Sequence, residues 1–284
     1  MANPVAVITF HHFHPAPGRL SVPPDLLETV LRALKQRYTF IAWEQFKEYL
    51  AGRRAAPRGC VLATFDDGYL DQYLHGFPVF QRLDVPFVVF LVTGFIREQT
   101  RCRTALERVD HKAIWRDPHP DYFLNTAELR MMNASGLAGF GSHSESHLHC
   151  RGKTEALLRE EFNRSHAAIR SLNLERSPHG FCWPQGAYDS LALEVIRDSP
   201  YRFAFSTFEG GFRPGDDPFT IRRIDCSSFS GDNRDYTSRL RRKLWIYTSG
   251  VFGHWYSAFK NYRESCLNRG RIRKRNEVRE HGRG

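Results

Sequence analysis

No pair of the six cysteines in this 284-residue chain stands at C-x-x-C spacing, and they outline no small-scaffold framework. That excludes a disulfide-stapled miniature fold and reads as reduced thiols of a cytosolic protein. Nor is a secretory signal expected. Met1 leads directly into Val5–Phe10, with neither a basic leader nor a long apolar run, so export is not expected. Internal repeats and low-complexity segments are absent before the C-terminal region. What is present is an ordinary soluble composition, 41% hydrophobic and 25% charged, long enough for one α/β barrel or two small domains.

Negative charge is scarce in one place only. Of the 41 Lys/Arg and 31 Asp/Glu, 13 and 3 lie from Arg239 onward, which leaves 28 of each in residues 1–238. The basic balance therefore belongs to the tail. A polyanion-binding surface on the body is not implied.

Two motifs carry chemistry. Thr64-Phe65-Asp66-Asp67-Gly68-Tyr69 ends a strand-like run, and His143-Ser144-Glu145-Ser146-His147 follows later. One carboxylate with two histidines is a ligand set for zinc or a similar divalent ion with open coordination positions. The second carboxylate is then free to take a proton from a water on that ion. Neighbouring aspartates on a strand face opposite ways, so both reach one cavity only if the chain turns there, which Gly68 permits. A bland alternative exists for each motif: Asp-Asp-Gly as a plain turn, and the histidines as a His-rich surface loop that includes His149. Ser144 has no partner base and reads as a turn-shaping hydroxyl rather than a nucleophile.

Apolar runs predict strands over Val5–Phe10, Tyr38–Ala42, Cys60–Phe65, Pro86–Val92, Gly139–Ser142, Gly180–Trp183, Tyr201–Ser206 and Phe219–Ile224. Helical periodicity predicts helices from Pro24 to about Arg37, over Trp43–Leu50, Tyr69–Leu83 (perturbed by Pro78), Thr126–Met132, Thr154–Leu172 and Ser190–Asp198. Residues 97–124 lack periodicity and read as a loop insertion near the site. Alternating strands and helices imply a mainly parallel sheet, with His11, Asp66, Asp67, His143 and Pro184 at the C-terminal strand ends where barrel enzymes place their chemistry.

In order and context, these residues resemble the polysaccharide deacetylases, the NodB-homology or carbohydrate esterase 4 group. Thr64–Tyr69 resembles their first motif, His143–His147 their second, and Phe181–Asp189 their third. Ile8-Thr9-Phe10-His11-His12 resembles the strand-end histidine of the exopolysaccharide deacetylase branch. The resemblance spans roughly residues 4–225. It implies an irregular (β/α)7-type barrel over residues 1–238, followed by a basic, aromatic extension over 239–284. It further implies that Asp67, His143 and His147 hold the metal, most readily Zn²⁺, and that Asp66 is the general base. The backbone of Gln185 helps bind the oxyanion, and Trp183, Pro184 and Tyr69 are expected at the substrate. Two departures stand out. Cys182 occupies the place where many relatives carry an arginine paired with the base, so that pairing is absent or supplied from elsewhere. Gln185 replaces the usual tyrosine. A late Leu-x-His general acid is also missing, which leaves His11 as the best substitute and His12 as runner-up.

The extension contains an uncharged aromatic stretch, Leu244–Phe259, flanked by basic residues. It reads either as a segment at an anionic membrane surface or as a terminal helix packed on the barrel with a disordered basic end. No nucleic-acid motif is present. The expected function is removal of an N-acetyl group from an amino sugar of a polysaccharide or lipid-linked glycan precursor, in the cytoplasm or peripheral to the inner face of the membrane. The rivals are a deformylase or deacetylase of another small acylated sugar-lipid, and a silent carbohydrate-binding protein on the same fold.

Overall fold

The computed structural model describes residues 3–16, 18–103, 110–174, 179–227 and 233–249. Its elements are β1 (Val5–Phe10), α1 (Pro24–Lys35), β2 (Thr39–Phe40), α2 (Trp43–Leu50), β3 (Cys60–Phe65), α3 (Phe77–Arg82), β4 (Phe87–Leu91), α4 (His111–Arg116) and α5 (Thr126–Ala134). There follow β5 (Ala138–Ser142), α6 (Glu155–Ser171), β6 (Gly180–Cys182), α7 (Ser190–Arg197), β7 (Phe203–Phe205), β8 (Gly211–Phe212), β9 (Ile224–Asp225) and α8 (Asn233–Thr248).

The sheet runs β7-β6-β5-β4-β3-β1-β8, parallel throughout except where β8 meets β1. Residues 221–225 close it. Ile221 exchanges backbone bonds with Ala204 and Ser206 beside β7, and β9 pairs in parallel with β1. The six parallel strands β1 and β3 to β7, with this closing segment, make an irregular (β/α)7-type barrel. β2 lies outside the ring, paired with the first residues of β3.

Strand parity sorts the core. Val5 and Val7 of β1 and Cys60 and Leu62 of β3 pack inside with Trp43, Phe90 and Phe205, whereas Ala6, Ile8, Phe10, Val61, Ala63 and Phe65 face the helices. Both faces are buried, which is why these strands read as continuous apolar runs. Close packing needs glycine at two points. A Cβ on Gly139 or Gly180 would lie 2.9 Å from the Trp43 side chain, so both strands approach that indole bare.

Four sequence expectations change. Tyr69–Leu83 is not one helix: a π-helical turn over Gln72–Gly76 precedes α3, with Pro78 in the first turn of α3, where its missing N–H costs nothing. The segment 97–124 is not plain loop, because it carries α4, capped by the Asp110 side chain, and a 3₁₀ turn over Pro120–Tyr122. Phe219–Ile224 is not a strand. Pro218 and the Asp217 carboxylate, which accepts from the Phe219 N–H, wind Pro218–Thr220 into a 3₁₀ turn. The helix α8 also crosses the boundary expected after residue 238. Its Tyr236, Leu240, Leu244 and Tyr247 are core residues, so the start of the expected extension belongs to the folded body. Most of the aromatic stretch, from residue 250 onward, lies outside the described residues.

Candidate active site

Parity carries Asp66 inward with Cys60, Leu62 and Thr64, and it would carry Asp67 outward. Instead Asp67 adopts φ +72° and Gly68 the same value, and this left-handed pair swings the Asp67 carboxylate back over the barrel end. The Asp67 carboxylate thus costs backbone strain, which the surrounding packing must hold.

His143 follows the inward register of β5, and the loop after it is held in shape at several points. Ser144 and His147 both have positive φ, 64° and 61°. The Glu161 carboxylate of α6 accepts from the Glu145 and Ser146 N–H groups at 3.0 and 3.1 Å. Ser144 Oγ accepts from the Leu148 N–H at 3.0 Å, the turn-shaping role expected of it. His143 Nδ1 donates to the Cys182 carbonyl at 2.8 Å. Since a carbonyl only accepts, this bond puts the proton on Nδ1 and leaves the Nε2 lone pair bare, the usual arrangement of a metal-ligating imidazole. His147 stacks on Trp115, with centroids 4.0 Å apart. Burial lowers its pKa to about 4 against the pull of Asp67, so it is neutral near pH 7.

The Nε2 atoms of His143 and His147 lie 3.4 and 3.2 Å from Asp67 Oδ1. That oxygen is buried and accepts no hydrogen bond from the described residues. A tetrahedral zinc site with bonds of about 2.0–2.1 Å sets its ligand atoms about 3.3 Å apart, so both the spacing and the orphaned oxygen fit a cation. A second grouping, Asp66 with His143 and Cys182, does not fit. Both Asp66 oxygens are already engaged, and burial pushes the Cys182 thiol well above its ordinary pKa, keeping it neutral.

What engages Asp66 is Arg223, from the segment that closes the barrel. Its Nη1 and Nη2 donate to Asp66 Oδ1 and Oδ2 at 2.7 Å each, and its Nε donates to the Ser206 carbonyl at 2.9 Å. Burial opposes charge on Asp66, but the Arg223 charge and hydrogen bonds outweigh it and hold the carboxyl well below the usual range. The pairing absent at Cys182 is thus supplied by Arg223. The Cys182 thiol, small and buried, donates weakly to Asp66 Oδ1 at 3.7 Å.

In the third motif, Gln185 is exposed at the cleft with φ 55° and ψ 13°, and Gly186 follows at φ +63°. The Gly186 and Ala187 N–H groups are spent on the Trp183 and Pro184 carbonyls. A Cβ on Gly186 would stand 1.9 Å from Thr207 Oγ1, so only glycine fits there. Trp183 reaches the cleft wall from within the core, its Nε1 donating to the Phe219 carbonyl at 2.9 Å. Pro184 is buried under the turn and does not line the cleft.

Of the two N-terminal histidines, His11 is the inward one. It lines the cleft, its Nδ1 is 3.1 Å from Ser227 Oγ, and its Nε2 is 3.9 Å from Asp66 Oδ2. His12 faces away. Its Nδ1 donates to Asp71 at 2.7 Å, and its ring stacks on Tyr69 at 3.9 Å. Burial lowers the His12 pKa, but Asp71 raises it more. Tyr69 does not line the cleft either. It is buried with Ile114 and Phe123, and its hydroxyl accepts from Trp115 Nε1 at 2.7 Å, so it supports the wall from behind. The helix α4 was unreadable in the sequence, yet it brings His111 and Trp115 to the cleft. The His111 Nδ1 lies 3.2 Å from the Tyr69 hydroxyl and 3.3 Å from His12 Nε2. Burial lowers it to about 4.

These groups line one open cleft of about 520 Å³ at the C-terminal end of the barrel. It is large enough for a sugar residue and holds His11, Asp66, Asp67, His143, His147, Trp183 and Gln185 together.

Comparison with known proteins places the chain among deacetylase sequences and folds. Residues 53–204 match the family model described as polysaccharide deacetylase. A poly-beta-1,6-N-acetyl-D-glucosamine N-deacetylase of Escherichia coli (strain K12) is 25% identical over 215 residues. That match takes in 66% of this chain but only 30% of the E. coli protein, so the chain spans about a third of that relative's length. The protein of the same name from Staphylococcus aureus (strain N315) is 23% identical over 214 residues, 72% of this chain and 67% of its own. Among solved structures, IcaB from Ammonifex degensii superposes with a TM-score of 0.68 at 23% identity, over 86% of this chain and 98% of that one. The Streptococcus pyogenes deacetylase PplD superposes at 0.69 with 17% identity, over 86% and 99%. These superpositions establish the shared fold.

Proposed function

The chain belongs to the polysaccharide deacetylase family, and from that premise we propose that it is a metal-dependent hydrolase that removes an N-acetyl group from an amino sugar of a polysaccharide or glycan precursor. One observation carries this reading: Asp67, His143 and His147 converge on a buried orphaned oxygen, while Asp66 beside them is held off by Arg223. A divalent cation, zinc by the donor set, would be held by Asp67, His143 and His147 and would supply Lewis acidity to the amide carbonyl and to an attacking water.

The chain's own residues do the rest. Asp66 accepts the proton of the attacking water; its bidentate tie to Arg223 fixes which lone pair faces the cleft. The Gln185 backbone N–H stabilises the oxyanion, a contribution of about 3–4 kcal/mol for a well-placed donor. His11, anchored through Nδ1 to Ser227, presents Nε2 to the cleft and returns a proton to the leaving nitrogen. His12 is engaged by Asp71 and is not placed for this step.

Among the described residues no helix is long and apolar enough to cross a membrane. We retain a cytoplasmic, membrane-peripheral location as part of the proposal; the exposed Trp245 beside Arg242 on α8 supports it. The test of function is acetate release from N-acetylglucosamine oligomers by the purified protein, before and after chelation. Expected is complete loss on chelation and recovery with added Zn²⁺. Full activity in the chelator-treated protein would contradict the metal role, and acetylated substrates that bind but are never cleaved would favour a silent binding protein.

A further inference from the structure

The cleft is more cationic than the neutral body around it. Arg19, Lys112 and Arg116 line it along with the catalytic groups, and among the described residues its carboxylates are Asp66 and Asp67 alone. Arg223 neutralises the first, and a divalent cation would overcompensate the second. All three rim cations are exposed, and none forms an ion pair or a side-chain hydrogen bond among the described residues. The carboxylates nearest in sequence, Asp110 and Asp117, do not pair with them. Asp110 instead caps α4, accepting from the Lys112 backbone N–H at 2.9 Å. Two of the three cations sit on α4, four residues apart on either side of Trp115, so one short helix delivers them together with the indole that stacks on His147.

A neutral N-acetylated glycan can accept only ordinary hydrogen bonds from these three cations and gains no charge pairing from them. Its deacetylated product, an ammonium, is repelled by them. An oxyanion on the substrate reverses both effects, because Arg and Lys donate charge-assisted hydrogen bonds to phosphate or carboxylate oxygens. We propose that the substrate is an N-acyl amino sugar carrying an anionic group, a phosphate or a sugar carboxylate, within reach of Arg19, Lys112 and Arg116. This rests on the hydrolase reading above and sharpens it. Specificity then comes from α4 in the insertion between β4 and α5, together with Arg19 between β1 and α1, outside the metal centre.

The test compares kcat/KM of the zinc-loaded protein on N-acetylglucosamine 1-phosphate, UDP-N-acetylglucosamine, a disaccharide of N-acetylglucosamine with glucuronic acid, and neutral N-acetylglucosamine tetramer. At least one anionic compound is expected to exceed the tetramer by about tenfold or more, the worth of one hydrogen bond to a charged group. In the double variant Lys112→Gln, Arg116→Gln that ratio is expected to fall about tenfold, chiefly through KM, with the wild-type preference weakening as salt rises. The phosphate and uronate arms tell the two anion sources apart. A tetramer turned over as well as every anionic compound, or a ratio unmoved by the double variant, would overturn the proposal. Calorimetric binding of N-acetylglucosamine 1-phosphate against N-acetylglucosamine decides it independently of turnover. Tighter, salt-sensitive binding that the double variant weakens supports the anion site even if no acetate is released, which would count against the hydrolase reading alone. Equal binding of the two sugars contradicts the anion site.

Discussion

Asp66→Asn is expected to slow acetate release about 10²–10⁴-fold, the range for loss of a positioned general base, with little change in KM. Asparagine keeps the size of the side chain and one acceptor oxygen for Arg223, but it cannot take a proton. Metal content should be unchanged, because the ligand set is Asp67, His143 and His147 and Asp66 stands outside it. The variant therefore separates base from ligand. Turnover near the wild-type rate would remove Asp66 from the mechanism, and loss of metal along with activity would make it a ligand instead.

The second large effect is expected at Arg223. Arg223→Met leaves a carboxylate buried with neither of its 2.7 Å hydrogen bonds, and removal of one partner from a buried pair costs about 3–5 kcal/mol. The same change alters pH dependence in a direction that follows from the forces on Asp66. With Arg223 present, its folded pKa is depressed, so the stability it contributes is full above the unfolded carboxyl value and is lost as pH falls through the lower folded one. Without Arg223 the burial penalty is opposed only by the weaker pull of His143 and His11, and the Asp66 pKa rises. The acid limb of the pH–rate profile should then move to higher pH, and Arg223→Lys should restore part of both stability and profile. A variant that is destabilised but keeps the wild-type acid limb would show that Arg223 is structural only.

How these residues came to be readable differs from case to case. The ligand set was legible because Asp66-Asp67 and His143–His147 are local motifs whose chemistry is stated by residue type. The preference for His11 over His12 rested on the resemblance at the first strand's end; parity says only that one of the two points inward, and β1 keeps its register up to its end, which turns His11 to the cleft. Arg223 was not legible. It lies 157 positions from Asp66 and meets it only because residues 221–225 close the barrel, a long-range pairing that no local pattern encodes. The strand expected over Phe219–Ile224 concealed it further, since the Pro218–Thr220 turn breaks that segment ahead of the arginine. The helix α4 was missed for a different reason. At six residues it is too short to show periodicity, so His111, Lys112, Trp115 and Arg116 read as loop. The neutral total over residues 1–238 likewise gave no hint that Arg19, Lys112 and Arg116 gather at one mouth. Tyr69 fell beside the first motif and was expected at the substrate, yet the turn at Asp67 and Gly68 sends it behind the wall.

The most direct test is zinc stoichiometry, by elemental analysis of protein loaded with Zn²⁺ and desalted, for the wild type and for Asp67→Ala, His143→Ala and His147→Ala. One tightly held ion per chain in the wild type, lost or severely weakened in each variant while Asp66→Asn retains it, is the expected result. A wild-type protein that holds no stoichiometric ion, or variants that bind it as the wild type does, would contradict the proposed metal centre.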